Sequence, residues 1–233
     1  MVRMSEPITA PVLQISDLKK CVPGGRTLFE NLNLGLSPGE IVVIMGESGA
    51  GKSTLLNLVA GLDQADFGAI TVEGRDLLTL SDDGRTALRR DRIGFVFQAF
   101  HILPHLTLAQ NIALPLVLGR HPGKTALDRA NGLLAAVGLP GRGEDYAAQL
   151  SGGELQRIAI ARALIHQPAL ILADEPTGNL DPETAERVLD LFRSAVRTSG
   201  AATLMVTHSE RAAAIADRVF ILTHNGLVER HAG

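Results

Sequence analysis

The pattern of apolar and polar residues along the chain predicts alternating strands and helices. Residues 12–18 and 28–36 alternate apolar with polar positions, which is typical of strands that bury one face. Residues 41–45 are apolar at successive positions, as in a parallel strand buried on both faces. Further short strands are predicted at 69–73, 93–97, 170–173 and 203–206.

Helices are predicted between these strands. Four of them cover 53–62, 82–92, 153–166 and 183–198, and a fifth follows residue 206 and runs through Ala216. From residue 100 to about residue 150 helix and loop alternate as an inserted lobe, which four prolines are expected to interrupt: Pro104, Pro115, Pro122 and Pro140. Residues 218–229 are predicted to form a hairpin that turns at Asn225-Gly226. This alternation indicates an α/β fold with a mainly parallel central sheet.

Composition and charge exclude several classes of protein. The 233 residues include one cysteine, Cys21, so a disulfide framework within the chain and a four-cysteine zinc site are both excluded. The net charge of −3 provides no basic field, and we expect no nucleic-acid partner. No apolar run reaches the roughly 18 residues that span a bilayer, and the N-terminus lacks the pattern of a signal peptide. We therefore expect a soluble protein of a reducing compartment, with a loose tail over residues 1–11.

Glycine is over-represented, with 24 residues, and one glycine-rich segment carries a candidate site. This segment follows the motif G-x-x-x-x-G-K-[ST] between a predicted strand and a predicted helix. It comprises Gly46, Glu47, Ser48, Gly49, Ala50, Gly51, Lys52 and Ser53. In such a loop, backbone amides surround the β-phosphate of a nucleotide and the helix N-terminus adds positive potential. Lys52 is expected to reach the β- and γ-phosphates, and the Ser53 hydroxyl to bind Mg²⁺.

Two adjacent carboxylates follow the strand predicted at 170–173. Neighbouring side chains of a strand point to opposite faces, so Asp174 and Glu175 are expected to have different roles. We expect Asp174 to bind Mg²⁺. Glu175 would then face the γ-phosphate and accept a proton from the attacking water.

A second glycine-containing helix start comprises Ser151, Gly152 and Gly153. Like the first, it could present a hydroxyl and backbone amides to phosphate oxygens. Alternatively, Ser151 is simply the N-cap of a helix. The residues by themselves leave both interpretations open.

Six motifs in order along the chain resemble those of the ABC (ATP-binding cassette) ATPases, over about residues 12–230. They are the phosphate loop extended to Thr54, then Gln98, residues 150–156, Asp174-Glu175, Asn179-Leu180-Asp181 and His208. The resemblance implies a P-loop NTPase fold of RecA type, in which an N-terminal antiparallel β subdomain and an inserted α-helical subdomain flank a mainly parallel sheet. It also implies one ATPase domain over 12–230, with a catalytic core at 12–98 and 160–230 and a helical lobe at about 99–159.

The same resemblance implies roles for single residues. Two copies of the chain would sandwich two ATP molecules, so that residues 151–153 of one copy contact the nucleotide held by the other, and Asp181 would lie at the contact between the copies. Gln98 would contact Mg²⁺ and link the helical lobe to the core. His208 would contact the γ-phosphate and orient Glu175.

Within the family, the chain is similar to the subgroup that serves lipoprotein release, macrolide efflux and cell division. The similarity lies in residues 92–98, 103–107, 111–116 and 173–181, and Leu18-Lys19-Lys20 with Gly46-Glu47-Ser48 is similar to the YbbA type in this subgroup. It implies a partner permease with few transmembrane helices and a large extracytoplasmic domain, and a location on the cytoplasmic face of a bacterial inner membrane.

Residues 99–120 would form the groove that receives this permease. Five apolar side chains there either dock the permease or pack within the helical lobe: Phe100, Ile102, Leu103, Leu106 and Leu108. The arginines between 85 and 92 are predicted to form a solvated helix face, with contact to lipid head groups or to the permease as the alternative.

Two further expectations concern specificity and class. Family members often place an aromatic residue at the end of the first strand, where it stacks on adenine. Cys21 takes that place here, so we expect little discrimination between ATP and GTP. A soluble ABC ATPase that assembles partners, as in iron–sulfur cluster biogenesis, is the alternative function.

Overall fold

The computed structural model describes residues 10–230, so most of the tail predicted at 1–11 lies outside the described residues. The strands are β1 (Leu13–Cys21), β2 (Thr27–Leu36), β3 (Ile41–Met45), β4 (Phe67–Val72), β5 (Arg75–Asp76), β6 (Ile93–Phe97), β7 (Leu170–Asp174), β8 (Ala202–Val206), β9 (Arg218–Thr223) and β10 (Gly226–Glu229). The helices are α1 (Lys52–Val59), α2 (Asp82–Arg92), α3 (Leu108–Leu118), α4 (Gly123–Ala136), α5 (Gly152–Leu164), α6 (Pro182–Ser199) and α7 (Glu210–Ala213).

The strands form two sheets, and the predicted fold class is confirmed. One sheet is antiparallel and has the order β2-β1-β4-β5. The other has the order β10-β9-β3-β8-β7-β6, in which every pair except β10–β9 is parallel. Because β3 lies between β8 and β9, the loop after β3 emerges at the centre of the carboxyl edge of this sheet. Ligands of open α/β sheets bind at this edge.

Apolar packing joins the sheets and helices in three clusters. One cluster lies on the face of the mixed sheet that meets the antiparallel sheet and α1, and it includes Val42 and Ile44. The second lies on the opposite face, beneath α6, and includes Ile41 and Val43. The alternation of β3 residues between the two clusters explains why this strand is apolar at every position. The third cluster joins α3, α4 and α5.

Pro115 does not interrupt a helix, contrary to the prediction. It lies within α3, which continues to Leu118. A proline costs the helix one backbone hydrogen bond, because residue 115 has no amide proton to donate. Two features offset this cost: Thr107 and Gln110 form a complete capping box at the start of α3, and Ile112 is fully buried in the third cluster.

The last helix is shorter than predicted. α7 ends at Ala213 rather than near Ala216. The reason lies at Asp217, whose amide donates to the Ile41 carbonyl over 2.8 Å and whose carboxylate accepts from the Ile41 amide over 2.8 Å. These bonds to β3 require the chain to be extended by residue 217.

The hairpin predicted over 218–229 is present as β9 and β10, but its turn is displaced by one residue. The two loop residues are His224 and Asn225, and Gly226 pairs with Thr223 as the first residue of β10. Gly226 has a φ of +104°, and a Cβ there would lie 3.0 Å from the Asn31 carbonyl oxygen. The glycine is therefore required by the strand and its contact with β2 rather than by the turn.

The sequence predicts that the arginines of α2 form a solvated helix face, and the structure shows that this prediction is wrong for three of them. Arg89 donates to the carbonyl of Gly61 over 3.0 Å, and Arg85 donates to the carbonyl of Leu77 over 3.3 Å. Arg92 forms an ion pair with Glu73. Three of the four arginines thus hold α2 against neighbouring segments.

Candidate functional site

The phosphate loop lies between β3 and α1, as predicted. Gly49 and Gly51 have φ values of +80° and +98°, which favour glycine, and a Cβ on Gly51 would lie 3.2 Å from the Phe29 ring. The Lys52 ammonium donates to the carbonyls of Gly46 over 2.7 Å and Glu47 over 2.9 Å. The ammonium group therefore lies across the loop, and the exposed residues 47–49 face solvent.

Ser53 and Asp174 lie together although they are far apart in the sequence. The Ser53 hydroxyl lies near enough to the Asp174 carboxylate to favour its charged form. Burial raises the pKa of Asp174, the Ser53 hydroxyl opposes this, and the negative charge of Glu175 adds to the increase. A hydroxyl beside a half-buried carboxylate is the hard-oxygen donor set that suits Mg²⁺, and a cation there would offset the cost of burying the charge.

Glu175 is held by three donors at the end of β7. Its Oε2 accepts from the Thr207 hydroxyl over 2.8 Å and from the His208 amide over 3.4 Å. Its Oε1 lies 2.7 Å from His208 Nδ1, which must carry the proton because an ionised carboxylate only accepts. The φ of Glu175 is +46°, an uncommon value for a residue other than glycine. The structure thus brings the predicted acid and histidine into direct contact.

Thr207 was not predicted as a site residue. It is 1% exposed, and its hydroxyl donates to Glu175 and accepts from the Ser209 amide over 3.0 Å. The available signal was its position directly before His208 and after an apolar strand. A buried threonine at the end of a strand nevertheless has many structural uses, so this signal is weak.

Gln98 directly follows β6, whose last residue Phe97 pairs with Asp174. The Gln98 side-chain amide donates to the Asn179 side chain over 3.0 Å, and the Asn179 amide donates back to the Gln98 carbonyl over 3.0 Å. A Cβ on Gly178 would lie 2.8 Å from Gln98 Nε2, so the glycine makes room for this pair. Asn179 is the partner that sequence reasoning did not assign to Gln98.

Ser151 is the N-cap of α5. Within one chain, the structure therefore agrees with the interpretation of Ser151 as a helix cap. Its hydroxyl donates to the Glu154 carboxylate over 2.8 Å, and the Glu154 amide returns a bond over 3.4 Å. Gly153 packs closely, because a Cβ there would lie 2.4 Å from the Thr184 methyl carbon. Among residues 10–230, none of the hydrogen bonds of Ser151 reaches the phosphate loop.

Asp181 is the N-cap of α6. Its carboxylate accepts from the Thr184 amide over 3.0 Å. Hydrogen bonds from the Thr184 side chain and amide lower the pKa of this exposed carboxyl. Asp181 and Gly153 therefore both contact Thr184, near the start of α6.

A cleft of about 520 Å³ lies beside the phosphate loop. It is lined on one side by Glu47, Gly49 and Ala50 and on the other by residues 26–28 and 221–224. Cys21 pairs with Thr27 across the sheet, and its sulfur lies 3.6 Å from the Thr27 hydroxyl. Cys21 thus lies on β1 directly opposite Thr27, which is part of the wall of this cleft.

A mainly apolar groove of about 530 Å³ lies between α2, β6, α3 and α5. The rings of Phe95 and Phe97 stack at 5.7 Å within it. Three arginines and no acidic residue are found among the described residues that line it, and the arginines are Arg89, Arg90 and Arg162. Leu62 and Leu118, 60% and 63% exposed, form part of its rim.

The five apolar residues considered for docking do not line this groove. Leu108 is fully buried, and Ile102 packs against the cluster of α3, α4 and α5. From the segment 99–120, the groove is instead lined by His101, Leu114, Pro115 and Leu118. Leu108 therefore packs within the protein, because it faces the interior side of α3.

Within residues 10–230, no helix combines the length and the apolar character that crossing a membrane requires.

Comparison with known proteins gives consistent matches. The profile of the protein family described as "ABC transporter" matches residues 29–178. The lipoprotein-releasing system ATP-binding protein LolD of Novosphingobium aromaticivorans is 46% identical over 222 residues, which cover 94% of this chain and 99% of LolD. The macrolide export ATP-binding/permease protein MacB of Shigella flexneri is 42% identical over 94% of this chain, but this match covers 34% of MacB.

A solved structure has a similar fold. It is the dimeric post-hydrolysis state of the ATP-binding cassette MJ0796 bound to ADP and Pi, with a TM-score of 0.82 and 36% identity. The match covers 95% of this chain and 99% of that one.

Proposed function

Because this chain belongs to the ABC transporter family, we propose that it binds and hydrolyses ATP as the ATPase subunit of a membrane transport complex. The predicted family is confirmed, as is its lipoprotein-release and macrolide-export subgroup. The observation that carries the proposal is the meeting of Lys52, Ser53, Asp174 and the Glu175–His208 pair at the carboxyl edge of one sheet. We take residues 12–230 as one ATPase domain, with a core at 12–98 and 160–230 and a helical lobe at 99–159.

The phosphate loop would hold the triphosphate through its backbone amides. Lys52 would exchange its bonds to the loop carbonyls for the β- and γ-phosphate oxygens. Ser53, Asp174 and Gln98 are the residues that would hold Mg²⁺. When bound, this ion neutralises charge on the phosphate oxygens.

Glu175 is the proposed general base. The Thr207 hydroxyl binds Oε2, so that the carboxylate is fixed while Oε1 shares the Nδ1 proton of His208. A carboxylate held in this way can take a proton from water without having to reorient. His208, whose side chain is 74% exposed, is free to reach the γ-phosphate with its other ring nitrogen.

The proposed assembly contains a second copy of the chain. Ser151 and Asp181 lie at exposed N-termini of α5 and α6, where amides and helix dipoles favour anions. In the proposed dimer, residues 151–153 contact the nucleotide of the partner copy. The dimeric, ADP-bound relative supports this arrangement.

The proposed partner is a separate permease with few transmembrane helices and a large extracytoplasmic domain. The apolar groove lined by Arg89, Arg90 and Arg162 is the surface we assign to this permease, and the positive charge of the groove favours an acidic, amphipathic segment. The chain would then lie on the cytoplasmic face of a bacterial inner membrane. The relatives that carry out lipoprotein release and macrolide export favour this function over soluble assembly of iron–sulfur clusters.

The base assignment is tested with Glu175→Gln. We expect this variant to lose about 10²–10⁴ in turnover and to accumulate as an ATP-bound dimer, because proton removal is lost while binding is retained. Steady-state hydrolysis and light scattering with ATP and Mg²⁺ measure the two effects. Glu186→Gln, on the exposed face of α6, is the control and should behave as wild type. Normal turnover of Glu175→Gln would refute the assignment.

The partner is tested by capture from membranes. Tagged Glu175→Gln protein is expressed in its native cell, and membranes are solubilised with ATP and Mg²⁺. A stoichiometric permease with a large extracytoplasmic domain is the expected result. Recovery of the chain alone, or of soluble assembly factors, would favour the non-transport alternative.

A further inference from the structure

The turn that follows Gln98 has an unusual backbone. Phe100 and His101 have φ values of +39° and +49°, so two successive residues other than glycine adopt the left-handed conformation. Residues in this conformation are strained and persist only where the surrounding structure holds them. Something must therefore hold this turn.

Arg162 supplies that contact from α5. Its Nη1 donates to the His101 carbonyl over 2.6 Å and its Nη2 donates to the Phe100 carbonyl over 2.7 Å. Burial lowers the pKa of Arg162, and among residues 10–230 no carboxylate counteracts this shift. The guanidinium is thus committed to two neighbouring carbonyl groups, which its planar fork of donors fits.

The turn also brings two parts of the site into contact. The Phe100 ring lies 3.8 Å from the place that a Cβ would occupy on Gly152, at the start of α5. On the other side of the turn, Gln98 exchanges hydrogen bonds with Asn179. Arg162 lies about three turns of helix further along α5, so the same helix contacts the turn near both of its ends.

We propose that Arg162 is a positioning residue that fixes Gln98 through this turn. Arg162 binds the segment that follows β6 to helix α5. Gln98 and the start of α5 would therefore keep a fixed position relative to each other. The proposal rests on the proposed function, in which Gln98 takes part in hydrolysis. It adds to that function a residue that touches neither nucleotide nor metal.

Arg162→Lys tests the proposal, because lysine keeps the charge but cannot donate to two carbonyls in a fixed plane. We expect kcat to fall about tenfold, with KM for ATP within twofold of wild type. In the Gln98→Ala background, the same substitution should change kcat less than twofold, because the group through which it acts is gone. The control is Arg129→Lys. Arg129 also donates to a backbone carbonyl, that of Ile165 at the C-terminal end of α5, but it does not contact the turn after Gln98.

A second readout does not depend on hydrolysis. Amide hydrogen exchange of the nucleotide-free protein should become faster in residues 98–103 of Arg162→Lys and stay unchanged in Arg129→Lys. If wild type failed to hydrolyse ATP, the proposed function would fall, and the exchange measurement would still decide the role of Arg162. Should Arg162→Lys not fold, Arg162→Gln takes its place.

Equal losses of kcat with and without Gln98 would overturn the proposal. So would unchanged exchange in residues 98–103.

Discussion

At the scale of single residues, the Thr207 hydroxyl is the contact that fixes the proposed base. Thr207→Val removes the donor to Glu175 Oε2 and keeps the shape of the side chain. A hydrogen bond to a charged group contributes about 1.5–3 kcal/mol, so we expect kcat to fall at least tenfold with little change in KM. Steady-state ATP hydrolysis measures both constants.

Thr203→Val is the matched control for this substitution. Thr203 lies fully buried in β8, and its hydroxyl has no hydrogen-bond partner among the described residues. The valine variant should therefore keep wild-type turnover and be equally or more stable to denaturant. If both valine variants lost turnover equally, the hydroxyl of Thr207 would have no specific role.

Cys21 leads to a prediction about base selectivity. It offers no ring to stack on adenine, so binding energy should come mainly from the triphosphate, and we expect ATP and GTP to bind with similar affinity. Isothermal titration with both nucleotides measures the ratio. A hundredfold preference for ATP would contradict this prediction. Cys21→Tyr would supply a ring that can stack on adenine, so this variant should bind ATP more tightly than wild type.

Sequence reasoning reached the residues whose chemistry is local and missed those whose role depends on a distant partner. The phosphate loop is a continuous motif, so its conformation follows from eight neighbouring residues. Thr207, Asn179 and Arg162 act through contacts that span between 32 and 81 positions along the chain. Such pairs arise only when the sheet and α5 assemble, and no local pattern specifies them.

At the scale of elements, β6 and α5 approach closely at Gly94. A Cβ on this residue would lie 2.3 Å from the Ala163 carbonyl oxygen, which belongs to helix backbone and cannot move easily. We expect Gly94→Ala to lower the free energy of unfolding by about 1–3 kcal/mol through overpacking. Denaturation with urea measures the change.

Gly132→Ala provides the opposite case. Gly132 lies exposed in α4, and nothing lies within 4 Å of the place a Cβ would take. The substitution should raise the free energy of unfolding by about 0.5–1 kcal/mol, because alanine favours helix. If both substitutions raised the free energy of unfolding, backbone entropy and not the β6–α5 contact would decide the outcome at Gly94.

The capping box of α5 makes part of the stability depend on pH. Hydrogen bonds from the amide and hydroxyl of Ser151 lower the pKa of Glu154 below its usual 4.5, and Arg142 acts in the same direction. A lowered carboxyl pKa in the folded state stabilises the protein above pH 4.5, and this contribution is lost as pH falls through the folded-state pKa.

Glu154→Gln should therefore be less stable than wild type by up to about 1 kcal/mol at pH 7, since the amide can still accept from Ser151 but loses the ion pair. The difference should shrink as the pH falls below 4.5. Urea denaturation over a pH series measures it, with Glu144→Gln as the exposed control. If the difference in the free energy of unfolding between wild type and Glu154→Gln grew as the pH fell, the prediction would be wrong.

Element bounds were predicted best where the apolar pattern ends against a clear change in polarity. β3, α2 and β6 have the predicted bounds. α7 and the turn before β10 were misplaced because distant contacts decide them: Asp217 bonds to β3, and Gly226 packs on β2. Pro115 stayed within α3 for the same kind of reason, since packing in the third cluster outweighs one missing hydrogen bond.

At the scale of the whole molecule, the arginines that line the apolar groove predict how the chain recognises the proposed permease. Arg90 is paired with its neighbour Asp91 and takes no part in the nucleotide site. We expect Arg90→Glu to reduce the amount of permease that copurifies, because it opposes an acidic segment, and to leave hydrolysis by the isolated chain unchanged.

Arg75→Glu, on β5 and away from the groove, serves as the charge-matched control. Quantitative copurification and hydrolysis assays on the same samples measure the two effects. Equal recovery of permease with wild type, Arg90→Glu and Arg75→Glu would show that Arg90 is not part of the docking surface.

The place of β3 in the sheet also bears on how the protein is made. Its neighbours are β8 and β9, so Ile41 pairs with Thr203 and Val42 with Arg218, whereas the antiparallel sheet needs only residues up to 76. Chains are synthesised from the N-terminus, and distant pairings form late. The small sheet can close early during translation, while the strand that carries the phosphate loop pairs only after β8 and β9 have been synthesised. A nascent chain therefore acquires the capacity to hold ATP only after residue 223 has emerged.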